Sequence, residues 1–256
     1  MTPDDSGVQP TPSRPSVAVF RPADDRIDRA VSVLRELGVE PVADPMLAVE
    51  PTGAIPRDDA DYTVLTSKTG VDLIEGTDWR PGGTLCAIGE PTAVALRTAG
   101  FSVDIVPDVY SSTGLVEYLA AEVDGARIEV ARSDHGSPVL LDGLEAAGGY
   151  LHETILYELV RPPDSGRSTE AAADRRLDAA LFTSSLTVEH FLEAAAERGV
   201  RDEATAGLEA AVVGAIGEPT RETAEAHDIT VDVVPETVAF EPLARTVVGS
   251  LESDRE

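Results

Sequence analysis

The sequence predicts an α/β fold: two similar lobes, each a parallel sheet covered by helices, with a cleft between them. Three observations predict it. Short, continuously apolar segments alternate with segments of helical period, as in strand–helix–strand units whose sheets are buried on both faces. Glycine stands at the end of one helical pattern after another, at Gly38, Gly100 and Gly148. Finally, Ala87-Ile-Gly-Glu-Pro-Thr92 returns unchanged as Ala215-Ile-Gly-Glu-Pro-Thr220, 128 residues later. At the same offset Val103-Asp-Ile-Val-Pro107 is answered by Val231-Asp-Val-Val-Pro235. Between 87–115 and 215–243, 11 of 29 positions are identical without a gap, so the chain holds two copies of one α/β unit.

The elements follow in order. Residues 1–15, rich in Pro, Asp, Ser and Thr and without period, read as a disordered tail. Val17–Phe20 is a buried strand. Arg21-Pro-Ala-Asp then leads into a helix with Ile27, Ala30, Val31, Leu34 and Leu37 on one face. Tyr62–Leu65 is a strand, followed by Thr66-Ser67 and a short helix around Val71 and Ile74. Leu85–Ile88 is a strand, and Pro91 opens a helix at its first turn. Val103–Val106 is expected as a further strand. Leu115 and Leu119 mark a helix, Ile128–Ala131 a strand, and Leu140, Leu141 and Leu144 another helix. Glu153–Leu159 is extended. Ala179–Phe182 is a strand, and Val188, Phe191, Leu192 and Ala195 fall at i, i+3, i+4 and i+7 of a helix. Thr66-Ser67 thus corresponds to Thr183-Ser184, and the strand before Arg21 to the strand before Arg132.

Composition narrows the function classes. In 256 residues, 47 Asp and Glu face 20 Lys and Arg, a net charge of −27, and Lys68 is the only lysine. Nucleic-acid binding needs a basic footprint and is disfavoured. The acids spread along the whole chain rather than forming a tail. Two explanations stand: an acidic interaction protein, or an ordinary fold whose surface is adapted to molar salt. Aromatics are 4 %, so Val, Leu, Ile and Ala build the core. The single cysteine, Cys86, excludes an intramolecular disulfide and reads as a core residue. No run approaches 18 apolar residues, and the N-terminal stretch lacks a basic and apolar leader, so no membrane association and a cytoplasmic location are expected.

Candidate chemistry lies at strand ends. Gly89-Glu-Pro-Thr92 and Gly217-Glu-Pro-Thr220 each join a strand to a helix. They read either as tight turns with a proline-started helix or as anion sites built on free helix N–H groups. Thr66-Ser67 and Thr183-Ser184-Ser185 occupy the same kind of corner, as helix caps whose hydroxyls can also bind. No nucleophile elbow, catalytic triad spacing, phosphate loop or dinucleotide fingerprint is present. His135, His152, His190 and His227 show no metal spacing, and His190 is expected at the surface. Tyr157, between apolar neighbours before Arg161-Pro-Pro163, reads as a packed aromatic whose hydroxyl finds a partner.

Phe182-Thr-Ser-Ser-Leu-Thr-Val188, Ala215-Ile-Gly-Glu-Pro-Thr220 followed by Val231-Asp-Val-Val-Pro235, and Ile155-Leu-Tyr157 after Gly148 together resemble the uroporphyrinogen-III synthase family, over residues 17–251. Lys68, where such proteins often carry a small or amide residue, and the glutamate in both Gly-Glu-Pro turns depart from it. The resemblance implies flavodoxin-like lobes: 16–41 plus 170–252, and 57–152. Two extended linkers, 42–56 and 153–169, would pair with each other. It implies a cyclising hydro-lyase that turns hydroxymethylbilane into uroporphyrinogen III, with inversion of ring D and loss of water, in the biosynthesis of haem, sirohaem and cobalamin. Tyr157 matches the family's functional tyrosine. Thr66, Ser67, Lys68, Gly89, Thr92, Ser184, Ser185, Gly217, Thr220, Arg21 and Arg132 would bind the carboxylate-rich substrate. No metal and no cofactor are implied. The chain is expected as a monomer, with a transient contact with hydroxymethylbilane synthase left open. The competing class is a non-enzymatic two-lobed small-molecule sensor, which would need the cleft but not Tyr157.

Overall fold

The computed structural model describes residues 14–253, so all but the last two residues of the expected tail lie outside the described residues. The chain starts with β1 (Ser16–Phe20), α1 (Asp25–Glu36) and β2 (Glu40–Ala43). It continues through β3 (Ala48–Pro51), β4 (Tyr62–Leu65), α2 (Lys68–Ile74), β5 (Thr84–Ala87), α3 (Glu90–Thr98), α4 (Ser112–Leu119), β6 (Arg127–Ser133), α5 (Pro138–Ala146) and β7 (Tyr150–Val160). Then come α6 (Arg167–Ala173), β8 (Ala179–Phe182), α7 (Ser185–Glu197), α8 (Arg201–Leu208), β9 (Val212–Ala215), α9 (Glu218–Glu225) and α10 (Phe240–Ser253). Two units result. Unit 1 holds the described residues up to Ala48 and from Arg161 onward; unit 2 is Val49–Val160.

Unit 1 carries a sheet of order β2-β1-β8-β9, parallel throughout. Its central strands are apolar at nearly every position because both faces are covered. Val17 and Val19 of β1 pack on one face with Leu34, Val247 and Leu251; Ala18 and Phe20 pack on the other with Phe182 and Phe191. Those three phenylalanines form the densest point, with ring centroids 4.6 to 5.7 Å apart. His190, expected at the surface, is buried instead. Its helix α7 is covered on both sides, and its Nδ1 donates to the Met46 carbonyl at 2.5 Å.

Unit 2 carries the order β3-β7-β6-β4-β5, with β7, β6, β4 and β5 mutually parallel. Alternate residues of β4 again feed two clusters: Leu65 with Leu85 and Leu96, and Val64 with Cys86 and Leu115. Cys86 is fully buried, which pushes its thiol up to about 12 and leaves it a packing residue. Gly38, Gly100 and Gly148 stand just past α1, α3 and α5 with φ of 81°, 86° and 90°, the left-handed geometry that ends a helix.

The strand expected at 103–106 is only a single bridge, Cys86 to Ile105, and 128 residues on Gly214 bridges Val233 in the same way. The reason is a side chain. Asp104 Oδ2 takes the Leu85 N–H at 2.9 Å, where a backbone carbonyl would serve in a ladder. Asp232 Oδ2 does the same for Val213 N–H at 2.8 Å. Of the segments expected as linkers, 42–56 contains β3, and 153–169 contains most of β7 and the start of α6. These two stretches do lie side by side, because Thr52 N–H and Oγ1 donate to the carbonyls of Leu156 and Ile155. Where β2 ends, the fully buried Asp44 accepts the N–H groups of Gly166 and Ser168, each at 2.8 Å, and the Ser168 hydroxyl. One carboxylate thereby caps α6 from more than 120 residues away in sequence.

Candidate active site

In each sheet the chain leaves the two central strands in opposite directions. In unit 1, β1 proceeds through α1 to β2 while β8 proceeds through α7 to β9. In unit 2, β6 proceeds through α5 to β7 while β4 proceeds through α2 to β5. The carboxyl ends of such strand pairs open a crevice that helices do not fill. Most of the polar candidates fall at these two points.

At the unit 2 point, Ser67 caps α2, its Oγ accepting the Gly70 N–H at 3.0 Å. The Tyr157 hydroxyl donates to the same Oγ at 3.0 Å. The Tyr157 ring is 6 % exposed and packs with Leu65, Ala87 and Ala131, so its hydroxyl is held while its ring is core. Two candidates 90 residues apart are thus in direct contact. Thr66 stands between β4 and this cap. Lys68 opens α2, exposed and without a hydrogen bond or ion pair among the described residues. A cation there opposes the helix dipole, which favours anions at that end.

Arg132 sits differently. It is 6 % exposed, ion-paired through Nε to Glu153 at 2.5 Å, and donates to the Ser137 carbonyl at 2.6 Å. Its guanidinium ties β6 to β7 and to the start of α5. Gly89 caps α3 with extended backbone, and Thr92 is buried in the first turn. Glycine is required here by a close approach, since a Cβ would lie 2.8 Å from both Cβ and Cγ of Tyr110.

At the unit 1 point, Phe20 pairs with Phe182, which brings Arg21 beside Thr183. Thr183 Oγ1 donates to the Phe20 carbonyl at 2.6 Å and locks the two strand ends together. Ser184 caps α7 in a reciprocal capping box with Thr187. The Ser185 hydroxyl donates to the Pro219 carbonyl at 3.0 Å and accepts from Thr223 Oγ1 at 2.8 Å, joining the starts of α7 and α9. Gly217 caps α9, with Thr220 buried behind it. Arg21 forms no ion pair among the described residues. Its guanidinium lies 5.1 Å from the centre of the Phe240 ring, and its buried Nε has no hydrogen-bond partner among the described residues. Burial holds this guanidinium below its ordinary value, Arg26 adds to that, and Asp24 opposes it.

The model of the family "Uroporphyrinogen-III synthase HemD" matches residues 28–245. The chain belongs to the uroporphyrinogen-III synthase family. A protein of Methanothermobacter thermautotrophicus, provisionally named a uroporphyrinogen-III synthase, is 30 % identical over 207 residues, covering 77 % of this chain and 81 % of the relative. Two crystal structures share the fold. A mutant uroporphyrinogen III synthase from the extremely thermophilic bacterium Thermus thermophilus superposes with a TM-score of 0.63 at 20 % identity, over 93 % of this chain and 99 % of that one. Uroporphyrinogen-III synthetase from Helicobacter pylori gives 0.61 at 16 % identity, with the same coverage.

For this uroporphyrinogen-III synthase family member the site divides by environment. Among the described residues Lys68 and Arg21 form no ion pair at the two points, whereas Arg132 is consumed by Glu153. Sequence reasoning missed Asp104, Asp232 and Tyr110. The aspartates carried a signal, since both copies of the Val-Asp-x-Val-Pro segment keep them. Tyr110 carried none, because its neighbour Gly89 is 21 residues away and Val238 stands at the equivalent place in the other copy.

Proposed function

We propose that this chain, a cyclising lyase of tetrapyrrole biosynthesis, converts hydroxymethylbilane to uroporphyrinogen III with Tyr157 as the group that assists loss of water. The observation that carries this reading is the Tyr157 hydroxyl, held 3.0 Å from Ser67 Oγ at the carboxyl end of the unit 2 sheet. The substrate's hydroxymethyl C–O bond breaks, and a proton delivered to the departing oxygen completes the water. Ring D is inverted when the electrophilic azafulvene left behind is attacked by the terminal pyrrole carbon that already carries the chain. The older C–C bond at that carbon then breaks and re-forms at the pyrrole's free carbon, whose lost proton balances the one given to the leaving hydroxyl. A positioned phenol suits that proton delivery. Unaided closure gives the non-inverted isomer, so the enzyme's larger task is to hold one conformation.

The strand-end turns suit the substrate's carboxylates. In unit 2 these are the corners of Thr66, Ser67, Lys68, Gly89 and Thr92. In unit 1 they are those of Ser184, Ser185, Gly217 and Thr220, with Arg21 as the cation there. The free N–H groups of helix first turns favour carboxylates. Arg132 acts at one remove, by holding β6, β7 and the α5 start in place. The protein works as a cytoplasmic monomer. Among the described residues no helix is long and apolar enough to cross a membrane.

The decisive assay supplies hydroxymethylbilane to the purified chain without added metal or cofactor and separates the product isomers. Type III product above the spontaneous rate is expected. Type I alone, at the uncatalysed rate, would refute the assignment.

Net charge of −27 adds a prediction about salt. An acidic surface repels both itself and a polyanionic substrate, and at about 1 M salt the Debye length falls to ~3 Å. Higher melting temperature and lower KM are expected in molar KCl than in ~0.1 M salt. Equal or better performance at low salt would contradict adaptation to a saline interior.

A further inference from the structure

Exposed apolar side chains stand over both Gly-Glu-Pro turns. At the unit 2 turn, Tyr110 is 59 % exposed and its neighbour Val109 is 60 % exposed. Both belong to the short segment between the Ile105 bridge and α4. That segment is pinned at two close approaches. The base of the Tyr110 ring rests on Gly89, where an added Cβ would also lie 3.3 Å from Cδ1. A Cβ on Gly114 of α4 would fall 2.7 Å from Val109 Cβ, and the Ser111 N–H donates to the Val109 carbonyl at 2.8 Å. The Tyr110 hydroxyl makes no hydrogen bond among the described residues. In unit 1 Val238, also exposed, takes the same place, its methyl groups 3.7 and 3.8 Å from where a Cβ on Gly217 would stand. Both copies thus keep the placement, while only unit 2 puts a ring there.

This chain has few rings to spare, with aromatics at 4 %. Phe20, Phe182 and Phe191 are committed to the core of unit 1, and Trp79, Phe101 and Tyr157 to that of unit 2. Burying one ring takes about 150–250 Å² from water, so leaving Tyr110 in solvent forgoes a large stabilisation. Tyr118 and Tyr150 are exposed too, but in the last turn of α4 and at the start of β7, away from the carboxyl ends of the strands. Tyr110 alone of the three rests on a strand-end turn. The turn beneath it is prepared for an anion: Glu90, which would repel one, is drawn along α3 to Arg97 at 2.7 Å. A flat ring with short carboxylate arms fits both features at once, the ring against Tyr110 and Val109 and the arms at the turn.

We infer that Tyr110 is a substrate-binding residue, its ring the platform for one pyrrole of hydroxymethylbilane whose carboxylate arms reach the Gly89–Thr92 turn. This rests on the synthase reading and adds a contact with the pyrrole rings to contacts with their carboxylates. Offset or edge-on packing of two rings needs no hydrogen bond, so the tyrosine hydroxyl is dispensable here. Such a contact is made in the ground state and the transition state alike, so its loss raises KM and spares kcat.

Steady-state kinetics on hydroxymethylbilane, with the product isomers separated, tests it. Tyr110→Val, which gives unit 2 the side chain of the other copy, should raise KM about ten-fold, leave kcat within about two-fold and keep the product type III. Tyr110→Phe retains the ring and should keep the parent KM. Tyr118→Val removes an exposed tyrosine remote from the turn and should change neither constant. Parent protein that makes type III while Tyr110→Val keeps the parent KM would overturn the platform and leave the synthase reading standing. So would Tyr110→Phe or Tyr118→Val raising KM as far as Tyr110→Val does. Type I product alone from the parent, at the uncatalysed rate, would overturn both.

Discussion

Tyr157→Phe is expected to lower kcat by tens- to hundreds-fold while leaving KM little changed. The substitution keeps the ring among Leu65, Ala87 and Ala131 and removes only the hydroxyl that meets Ser67 Oγ. A positioned proton donor contributes ~10²–10⁴-fold, and the lower end applies because this leaving group departs without an enzyme. KM is spared because the carboxylate-holding turns are intact, and an interaction made only in the transition state lowers kcat and kcat/KM together. Residual product should still be type III, since the turns choose the folded conformation of the substrate. The lost hydrogen bond should cost about 1 kcal/mol, a few degrees of melting temperature. Full kcat with a lowered melting temperature would make Tyr157 a structural residue and leave positioning to carry catalysis alone.

Asp44→Ala is expected to be the most destabilising single change of a polar residue. Three donors converge on this fully buried carboxylate, and two of them, the N–H groups of Gly166 and Ser168, cannot turn elsewhere. Charged hydrogen bonds of this kind contribute about 1.5–3 kcal/mol, and orphaned buried donors add their own desolvation cost. A loss of about 3 kcal/mol corresponds to ~6–12 °C in a chain of this size. Asp44→Asn keeps one acceptor oxygen and should lose about half as much. A thermal melt by circular dichroism distinguishes these outcomes, and an Asp44→Ala melt within about 2 °C of the parent would show that water replaces the carboxylate.

Strands such as β1 and β8 were legible because burial on both faces leaves no polar position to confuse the pattern, and helix ends were legible through Gly38, Gly100 and Gly148. The 103–106 segment misled for a local reason: it has strand composition, but Asp104 replaces the second rung of its ladder with a side chain. Parallel pairing hid more. Arg132 looked like the counterpart of Arg21, yet its partner Glu153 lies on the adjacent strand 21 residues on, a relation that spacing does not reveal. His190 was misplaced because one residue beside Phe191 says nothing about a helix covered on both sides. The contact of Tyr157 with Ser67 was likewise out of reach, although each residue was singled out alone, because it requires β7, β6 and β4 to be known as neighbours.

The paired aspartates also bear on how this chain avoids its own copies. β5 and β9 are the outermost strands at one side of their sheets. A bare row of N–H and C=O groups there is a template on which another chain can add a strand and begin to aggregate. Each edge is closed instead. Asp104 Oδ2 blocks the Leu85 N–H, Ile105 O takes the Ala87 N–H at 2.9 Å, and Pro107, which has no N–H to offer, follows two residues later. Asp232, Val233 and Pro235 repeat the arrangement on β9, again with a bond of 2.9 Å from Ala215. A negative charge is thereby planted where a second strand would have to dock, so each sheet ends on a surface that refuses its own kind.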